Sequence, residues 1–207
     1  QFKAEHPWAK QAKVVVNLEA RGTSGPSLMF QTGQPNRWLI ELFARSVSRP
    51  RTSSLFFEVY KHLPNDTDFT VFNRAGINGF NFAFIGDVKN YHTANDSLEQ
   101  LSLESLQHHG ENAWQVLQAL ASVDLTAPQA GNAVYFDLFG FWLIWWPAEW
   151  SVPLAVLAGL VVFLCSRGFV WPVFLRWSSD LLAIVLALLA TTGLGHLLLW
   201  DLKMKFP

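Results

Sequence analysis

Cysteine and net charge are the two scarcest features of this 207-residue sequence. Its single cysteine, Cys165, excludes an intrachain disulfide. The formal net charge of -1 gives no electrostatic basis for binding nucleic acid. Basic residues are also missing from the whole stretch 133–165, where Asp137 and Glu149 are the only acidic groups. These absences rule out disulfide bonds within the chain and leave nucleic acid out of the expected partners.

Apolar and aromatic residues are in excess. Hydrophobic residues make up 51% of the sequence, ten residues are tryptophan, and much of the excess follows Ala130. The length allows one or two domains. This asymmetry divides the chain into a mixed first part and an apolar second part.

A histidine, His92, stands on a loop at the carboxyl end of a predicted strand. The apolar run 80–85 predicts that strand, a loop follows from Gly86, and a helical pattern comes next. Sites in open α/β sheets lie at the carboxyl ends of strands. A loop histidine on a rigid strand can turn its imidazole toward a metal or a substrate, although a histidine that only bonds its neighbours is the commoner case.

An acidic residue, Glu19, closes a second predicted strand. The sequence VVVNLE at 14–19 is rich in β-branched residues and predicts a central strand, which ends before Gly22. A carboxylate at the end of a buried strand is unfavourable unless it is paired or bound to a metal. Carboxylate and imidazole are both zinc ligands, so Glu19 and His92 suggest a zinc site, although two ligands do not complete one.

Several segments together resemble a known family. They are NLEARG at 17–22, LMFQTG at 28–33, DTD at 66–68 with Phe72, Gly76-Ile77, and YHT at 91–93 with Asp96. In this order they resemble the second half of a metallopeptidase family 28 domain, a family of di-zinc exopeptidases. The likeness is greatest to its membrane-bound branch, the endoplasmic-reticulum and vacuolar-membrane metallopeptidases. It implies an α/β fold in which this chain is part of a three-layer mixed-sheet zinc-exopeptidase domain, followed by a transmembrane α-helical hairpin.

The resemblance implies roles for four residues. Glu19 is expected to bind one zinc ion and His92 the other. Tyr91 is expected to be catalytic, because the matching tyrosine hydrogen-bonds the oxyanion of the tetrahedral intermediate. Asp68 is expected to line the substrate site and to orient a ligand or the substrate amine. The expected cofactor is therefore zinc, with two ions in the complete site, and the expected substrate is a peptide.

The departures from the family are equally specific. The family also has a His-x-Asp pair upstream, whose Asp bridges the metals, and an adjacent Glu-Glu pair, whose first member is the general base. No His-x-Asp occurs in this sequence, and no two acidic residues adjoin before Glu19. We therefore expect a fragment that lacks the bridging carboxylate and the base, with the upstream half of the peptidase domain as its partner.

Periodicity predicts the remaining elements of the first part. Helical spacing predicts one helix from Pro35 and a longer one over about 103–121, and β-forming composition predicts a buried strand over 54–60. His108 and His109 are consecutive, so they point about 100° apart on a helix and predict a solvated turn rather than a metal cluster. The predicted buried side of the longer helix consists of Leu106, Ala113, Val116, Leu117 and Leu120.

The second part of the chain predicts membrane association. Residues 181–200 contain no charge and would rise ~30 Å as a helix, which matches a hydrocarbon core. A shorter apolar run predicts another membrane helix, with a buried core helix as the alternative. The predicted division is 1–127 peptidase half, 128–149 linker and aromatic interfacial segment with Trp142, Trp145 and Trp146, 150–165 first membrane helix, 166–180 connector, 181–200 second membrane helix and 201–207 tail.

Three functions are consistent with these observations. The first is a membrane-anchored zinc exopeptidase, an aminopeptidase, with membrane lipid as a partner and the peptidase domain outside the cytoplasm, facing a lumen or the periplasm. The second keeps the fold and changes the reaction, because glutaminyl cyclases share the scaffold and use zinc. The third is a membrane protein without catalytic activity that retains the fold for binding or assembly.

Overall fold

A mixed three-stranded sheet is the centre of the fold. The computed structural model describes residues 5–64, 66–126 and 130–167. The strands are β1 (Val14–Ala20), β2 (Leu28–Thr32) and β3 (Asn78–Phe84), in the order β1-β3-β2. β1 runs parallel to β3, and β2 runs antiparallel to it. The predicted α/β class is confirmed.

The central strand of the described sheet is β3 and not β1. β1 lies at one edge, and its Leu18 is 46% exposed. β3 is buried at every position after Asn78. The prediction of a strand from the valine-rich run is confirmed, but its predicted central position is wrong for the described strands. A run of valines favours the extended backbone and does not specify where in the sheet the strand lies.

Helices cover both faces of this sheet. They are α1 (Arg37–Ser46), α2 (Ser54–Tyr60), α3 (Asp68–Arg74) and α4 (Leu103–Ala121), and short 3-10 turns span Pro7–Lys10, Val88–Asn90, Leu98–Gln100 and Ala148–Trp150. The sequence predicts both ends of α4 and the start of α1 to within two residues.

The hydrophobic core lies between one face of the sheet and helices α1 and α4. The rings of Phe80 and Phe82 on β3 lie 5.9 and 6.0 Å from the ring of Phe43 on α1. α4 adds Val116 and Leu120 to the same cluster. Burying the apolar side of each helix against these phenylalanines removes both surfaces from water, which is the main source of stability.

The predicted strand over 54–60 is wrong, because this segment forms helix α2. Ser53 caps the helix by accepting a hydrogen bond from the Leu55 N–H at 3.1 Å. Leu55 and Val59 are 65% and 52% exposed, so α2 is not a buried element. A short run of apolar residues does not distinguish a strand from a helix, and here the serine cap favours the helix.

Helix α4 buries only part of the predicted side. Ala113, Val116 and Leu120 are buried as predicted, but Leu106 and Leu117 are 49% and 50% exposed. The buried side instead includes three polar residues, Ser105, His109 and Asn112. Hydrophobicity alone therefore misplaces the buried stripe, because hydrogen-bonded polar side chains occupy part of it.

A β-hairpin follows the sheet domain. β4 (Ala133–Leu138) and β5 (Trp142–Pro147) pair antiparallel. Ala133 and Tyr135 belong to the core, and Leu143 and Trp145 pack against it. Within 128–149, treated above as a linker and interfacial segment, the described residues therefore form a hairpin that is attached to the sheet domain.

The chain divides into two compact units, Gln1–Ser151 and Val152–Pro207. Helix α5 (Ser151–Arg167) begins at the boundary. Among the described residues, Ala148–Cys165 is the one helical stretch long and apolar enough to cross a bilayer, with a mean hydropathy of 2.0 and no buried residue. The predicted second membrane helix at 181–200 lies outside the described residues, as do the tail at 201–207 and most of the connector at 166–180.

Candidate functional site

The parallel pairing of β1 and β3 brings their carboxyl ends to one edge of the sheet. Glu19 pairs in register with Ala83, one residue before the end of each strand. The Arg21 N–H then donates to the Phe84 carbonyl oxygen at 3.0 Å. The loop that carries His92 therefore leaves the sheet beside the strand that carries Glu19.

The loops after these two strands are joined by hydrogen bonds. Gly86 donates to the Ser24 carbonyl oxygen at 2.7 Å, and its own carbonyl accepts from the Thr23 N–H at 3.1 Å. The side chain of Asn90 donates to the Thr23 hydroxyl at 2.9 Å, and both residues are buried. Gly22 has a φ of +152°, and a Cβ there would collide with the Gly86 carbonyl. These contacts hold the two loops together as one unit.

Tyr91 and His92 stack on each other at the tip of the second loop. Their ring centroids are 3.9 Å apart with an interplanar angle of 19°. The guanidinium carbon of Arg21 lies 5.7 Å from the Tyr91 ring centroid. His92 has a φ of +56°, a left-handed backbone that non-glycine residues adopt infrequently and that is often found at functional sites. The stack leaves the His92 side chain exposed.

A row of amide side chains holds the Glu19 carboxylate. The Asn17 Nδ2 donates to Glu19 Oε1 at 3.0 Å and to Asn81 Oδ1 at 2.9 Å. Asn81 in turn donates to Gln31 Oε1 at 2.9 Å and to Thr67 Oγ1 at 2.8 Å. Asn17 and Asn81 each use both amide hydrogens as donors. Glu19 accepts one of these hydrogen bonds, and a supporting partner of this kind orients a carboxylate that binds a metal. We call the three amides of Asn17, Asn81 and Gln31, together with the Thr67 hydroxyl at their end, the amide row.

The amide row reaches helix α3 and the residue Tyr60. Thr67 is the N-cap of α3, and Asp68 follows as its first residue with an exposed side chain. Burial raises the pKa of Tyr60, and the carboxylates of Asp66 and Glu19 raise it further. Glu19 therefore bonds directly to the amide row, and Asp68 is the next residue in sequence after its member Thr67.

Glu19 and His92 alone do not make a complete metal site. The described residues hold no group of three or more His, Cys, Asp or Glu side chains placed to bind a metal ion. A carboxylate and an exposed imidazole are nevertheless chemically suited to zinc, which usually has at least three protein ligands. The donor types fit the expected metal, and their number requires ligands from outside the described residues.

The histidine pair in α4 is not the solvated turn predicted from sequence. His109 is buried, and its Nδ1 lies 2.7 Å from the Ser27 hydroxyl. The neighbouring His108 Nδ1 accepts from the Ser27 N–H at 3.2 Å. Burial, with a smaller contribution from the charge of His108, lowers the pKa of His109 to about 4. These histidines hold the loop before β2 against α4.

Sequence reasoning missed the residues that support the site. Arg21, Asn17 and Asn81 were not singled out, although a signal existed for the two asparagines. Each asparagine interrupts a run of apolar strand residues. Asn17 is also two residues from Glu19, so the side chains of Asn17 and Glu19 point to the same face of the strand. A polar residue inside an apolar strand has to find a partner, and that requirement identifies it as a candidate supporting residue.

The chain belongs to peptidase family M28. The sequence model of that family matches residues 1–117. The resemblance found from the motifs is confirmed, and it covers residues 1–117. No solved structure matches the chain.

Relatives from animals and fungi agree with this assignment. The chain is 30% identical to human endoplasmic reticulum metallopeptidase 1 over 227 residues, which covers 96% of this chain and 25% of the relative. It is 33% identical to the vacuolar membrane protease of Eremothecium gossypii over 148 residues, covering 70% and 14%. A putative endoplasmic reticulum metallopeptidase 1-B of Caenorhabditis elegans is also 33% identical over 153 residues, covering 70% and 17%. The chain thus spans at most 25% of the length of these relatives.

Proposed function

We propose that the complete protein is a membrane-anchored zinc exopeptidase that acts as an aminopeptidase. The observation that carries the proposal is the joining of two strand ends. Arg21, just after Glu19, covers the ring of Tyr91, which stacks on His92. This contact supports a shared site for the two residues that resemble zinc ligands of the family.

Glu19 and His92 are the residues that would hold the metal. In the proposal each binds one of two zinc ions, and the upstream half of the domain supplies the bridging carboxylate and the other ligands. The hydrogen bond from Asn17 supports this role, because it orients the Glu19 carboxylate. Zinc, when bound, polarises the scissile carbonyl and lowers the pKa of a water molecule toward neutrality.

Tyr91 and Asp68 would act directly on the substrate. The Tyr91 hydroxyl would donate a hydrogen bond to the oxyanion that develops on the scissile carbonyl, an effect typically worth ~3 kcal/mol. Its ring is already contacted by Arg21 and His92, so little freedom is lost when it does so. The exposed carboxylate of Asp68 would pair with the amino group of the substrate. The proton of the attacking water would pass to the upstream glutamate and then to the leaving amine.

Membrane anchoring is the second part of the proposal. Helix α5 and its preceding turn give an apolar stretch of 18 residues, none of which is buried. The uncharged run 181–200 supplies a second candidate span by sequence. Two relatives carry a membrane or endoplasmic reticulum location in their names, which supports membrane anchoring. In the proposal the peptidase domain faces a lumen.

The free edge of β1 supports the upstream half of the domain as a partner. In the described sheet β1 has a neighbour on one side only, and its Leu18 is 46% exposed. An apolar strand edge of this kind normally pairs with a further strand. The absent half of the peptidase domain would add its strands there and would bring its metal ligands to the edge that carries Glu19.

The metal-ligand assignment is tested by histidine variants of the complete protein. We expect His92→Ala to lower peptide hydrolysis to the level of the metal-free protein and to reduce the bound zinc measured by elemental analysis. The matched control is His62→Ala, because His62 is an exposed histidine on a different loop. Full activity and full zinc content in the His92 variant would refute the assignment.

A variant of Tyr91 tests catalysis independently of metal binding. We expect Tyr91→Phe to lower turnover by about 10²–10³-fold, because one oxyanion donor is lost. Zinc content should stay that of the unaltered protein. Both types of substrate should be assayed, a peptide with a free amino terminus and a peptide with an N-terminal glutamine. Cyclisation of the glutamine without hydrolysis would favour the glutaminyl-cyclase reaction instead.

A further inference from the structure

The outer face of the β4–β5 hairpin is wholly apolar. The strand register forms three cross-strand pairs on this face, Val134 with Trp146, Phe136 with Ile144, and Leu138 with Trp142. The opposite face turns Ala133, Tyr135, Leu143 and Trp145 toward the core. An antiparallel hairpin with one packed face normally presents polar residues on the other. Trp142 is instead 65% exposed.

The tip of the hairpin extends this apolar surface. Phe139 and Phe141 are 74% and 68% exposed on either side of Gly140. The hairpin has a single charged side chain, Asp137, and that charge is already bonded. It accepts from the N–H of Thr52 at 2.7 Å and from the N–H of Gly140 at 3.0 Å. The guanidinium of Arg51, which lies outside the hairpin in sequence, sits beside Gly140 and 3.8 Å from Asp137 Oδ2, so it pairs with that carboxylate. The hairpin itself therefore adds no unpaired charge to this surface.

The composition of this surface favours lipid over a protein partner. Even the apolar cores of protein interfaces are only about 65% nonpolar, and their rims carry charged and polar residues that set specificity. Every outer-face residue here is apolar, and the stretch 133–165 contains no basic residue. Tryptophan is enriched where a bilayer meets water, and phenylalanine and leucine accompany it on apolar faces that lie in this interface.

The position of the hairpin along the chain points to the same partner. Only residues 148–150 separate β5 from helix α5, so the chain cannot extend more than about 14 Å between them. If α5 crosses the membrane, as the proposed function requires, the hairpin cannot lie far from the bilayer surface. A bilayer is therefore a partner within reach that matches an apolar aromatic surface.

We propose that the outer face and tip of the hairpin bind the interfacial region of the bilayer that α5 enters. The peptidase domain is then seated on the membrane through Phe139, Phe141 and Trp142 rather than tethered at a distance. This inference rests on the membrane anchoring in the proposed function. Binding of the hairpin to the bilayer would fix the distance of the peptidase domain from the membrane.

The test compares two tryptophans of equal exposure on different surfaces. A fluorescent amino acid is introduced at Trp142 or, as the matched control, at Trp114 on α4, which are 65% and 63% exposed. The complete protein is reconstituted in phosphatidylcholine vesicles with or without lipid that carries a nitroxide in the upper acyl chain. We expect at least a twofold loss of fluorescence at position 142 and no loss at position 114.

Three outcomes would overturn the inference. Equal quenching at the two positions would show no preferred surface. Fluorescence at position 142 that neither nitroxide lipid nor iodide quenches would show that protein covers the face, either a second copy or another segment of the protein. Release of the protein from membranes by alkaline carbonate would show that it is not anchored by a membrane-spanning helix, and the inference would then fail. Hydrolysis by the zinc site is measured separately, so a loss of seating with activity retained leaves the proposed reaction intact.

Discussion

The two faces of the three-stranded sheet carry different chemistry on the same strands. On one face, Phe80 and Phe82 of β3 pack against Phe43 in a dry core. On the other face, Asn81 stands between those phenylalanines in sequence and joins the amide row that holds Glu19. The alternation of strand side chains makes this division possible. One face supplies stability, and the other positions a carboxylate at the edge where the candidate site lies.

The polar face needs a hydrogen-bond partner for each buried polar group, just as the apolar face needs close packing of its side chains. An unpaired amide beneath α3 would be left without its hydrogen bonds and would destabilise the sheet. The amide row avoids this because each asparagine donates both of its hydrogens. The comparison therefore predicts different results on the two faces. A truncation on the apolar face should lower stability, and one on the polar face should lower metal affinity more than stability.

The largest effect is expected from Phe82→Ala on the apolar face. Phe82 is fully buried and contacts the rings of Phe43, Phe80 and His109. Removing a buried phenylalanine typically lowers the free energy of unfolding by about 3–5 kcal/mol, because a cavity remains. The measurement is the midpoint of denaturant unfolding of the purified protein. Phe139→Ala is the control, because Phe139 is 74% exposed and its truncation should change that midpoint little. Equal shifts in the two variants would contradict the division between core and surface.

A buried histidine on the apolar face predicts a pH dependence of stability. His109 lies with its ring 5.3 Å from that of Phe84, and burial lowers its pKa to about 4. The unfolded chain binds a proton near pH 6.5, whereas the folded protein resists it, so the stabilisation is complete above pH 6.5. It is lost as the pH falls toward 4, with a total loss on the order of 2–3 kcal/mol.

The pH dependence is measured from unfolding midpoints between pH 4 and pH 8. His109→Asn removes the titrating group and keeps a polar side chain near the Ser27 hydroxyl, so its midpoint should change less over this range. His108→Gln is a further control, because it removes the neighbouring charge that also lowers the pKa of His109 and keeps a polar side chain near the Ser27 N–H. Parallel pH profiles for the His109 variant and the unaltered protein would show that another group causes the dependence.

Local patterns predicted much of the fold. Helical spacing predicted both ends of α4, and in the structure Ser102 caps its first turn. The strands β1 and β3 follow from their β-branched and aromatic runs. The prediction of a strand over 54–60 was wrong because short apolar runs are compatible with a strand or a helix. The N-cap at Ser53 favours the helix.

Long-range contacts explain what the sequence could not predict about the site. Glu19, Tyr91, His92 and Asp68 were identified by resemblance to family motifs, and their roles stay predictions. The amide row was missed because Asn17 and Asn81 are 64 residues apart and meet only when β1 and β3 are in register. The burial of His109 was missed for a similar reason, because its partner Ser27 lies 82 residues away. Polar pairing of this kind depends on tertiary structure and leaves no local periodicity.

The smallest effect is expected from Asn17→Ala on the polar face, and it gives the sharpest comparison of the two faces. The variant removes the hydrogen bond to Glu19 Oε1 but leaves the carboxylate itself in place. Loss of such a supporting contact typically lowers metal affinity by about 10–100-fold. We expect this loss for zinc, measured by competition with a chromogenic chelator in the complete protein.

Asn78→Ala is the matched control for the Asn17 variant. Asn78 lies at the start of β3, far along the strand from Ala83 that pairs with Glu19, and donates to the Pro35 carbonyl oxygen at 2.7 Å. Its loss should lower stability and leave zinc affinity unchanged, because it has no bond to Glu19. Equal zinc affinity in the Asn17 variant, with Glu19→Ala losing zinc as expected, would mean that the amide row only stabilises the sheet. The polar face would then have the same role as the apolar one, and the division between the two faces would fail.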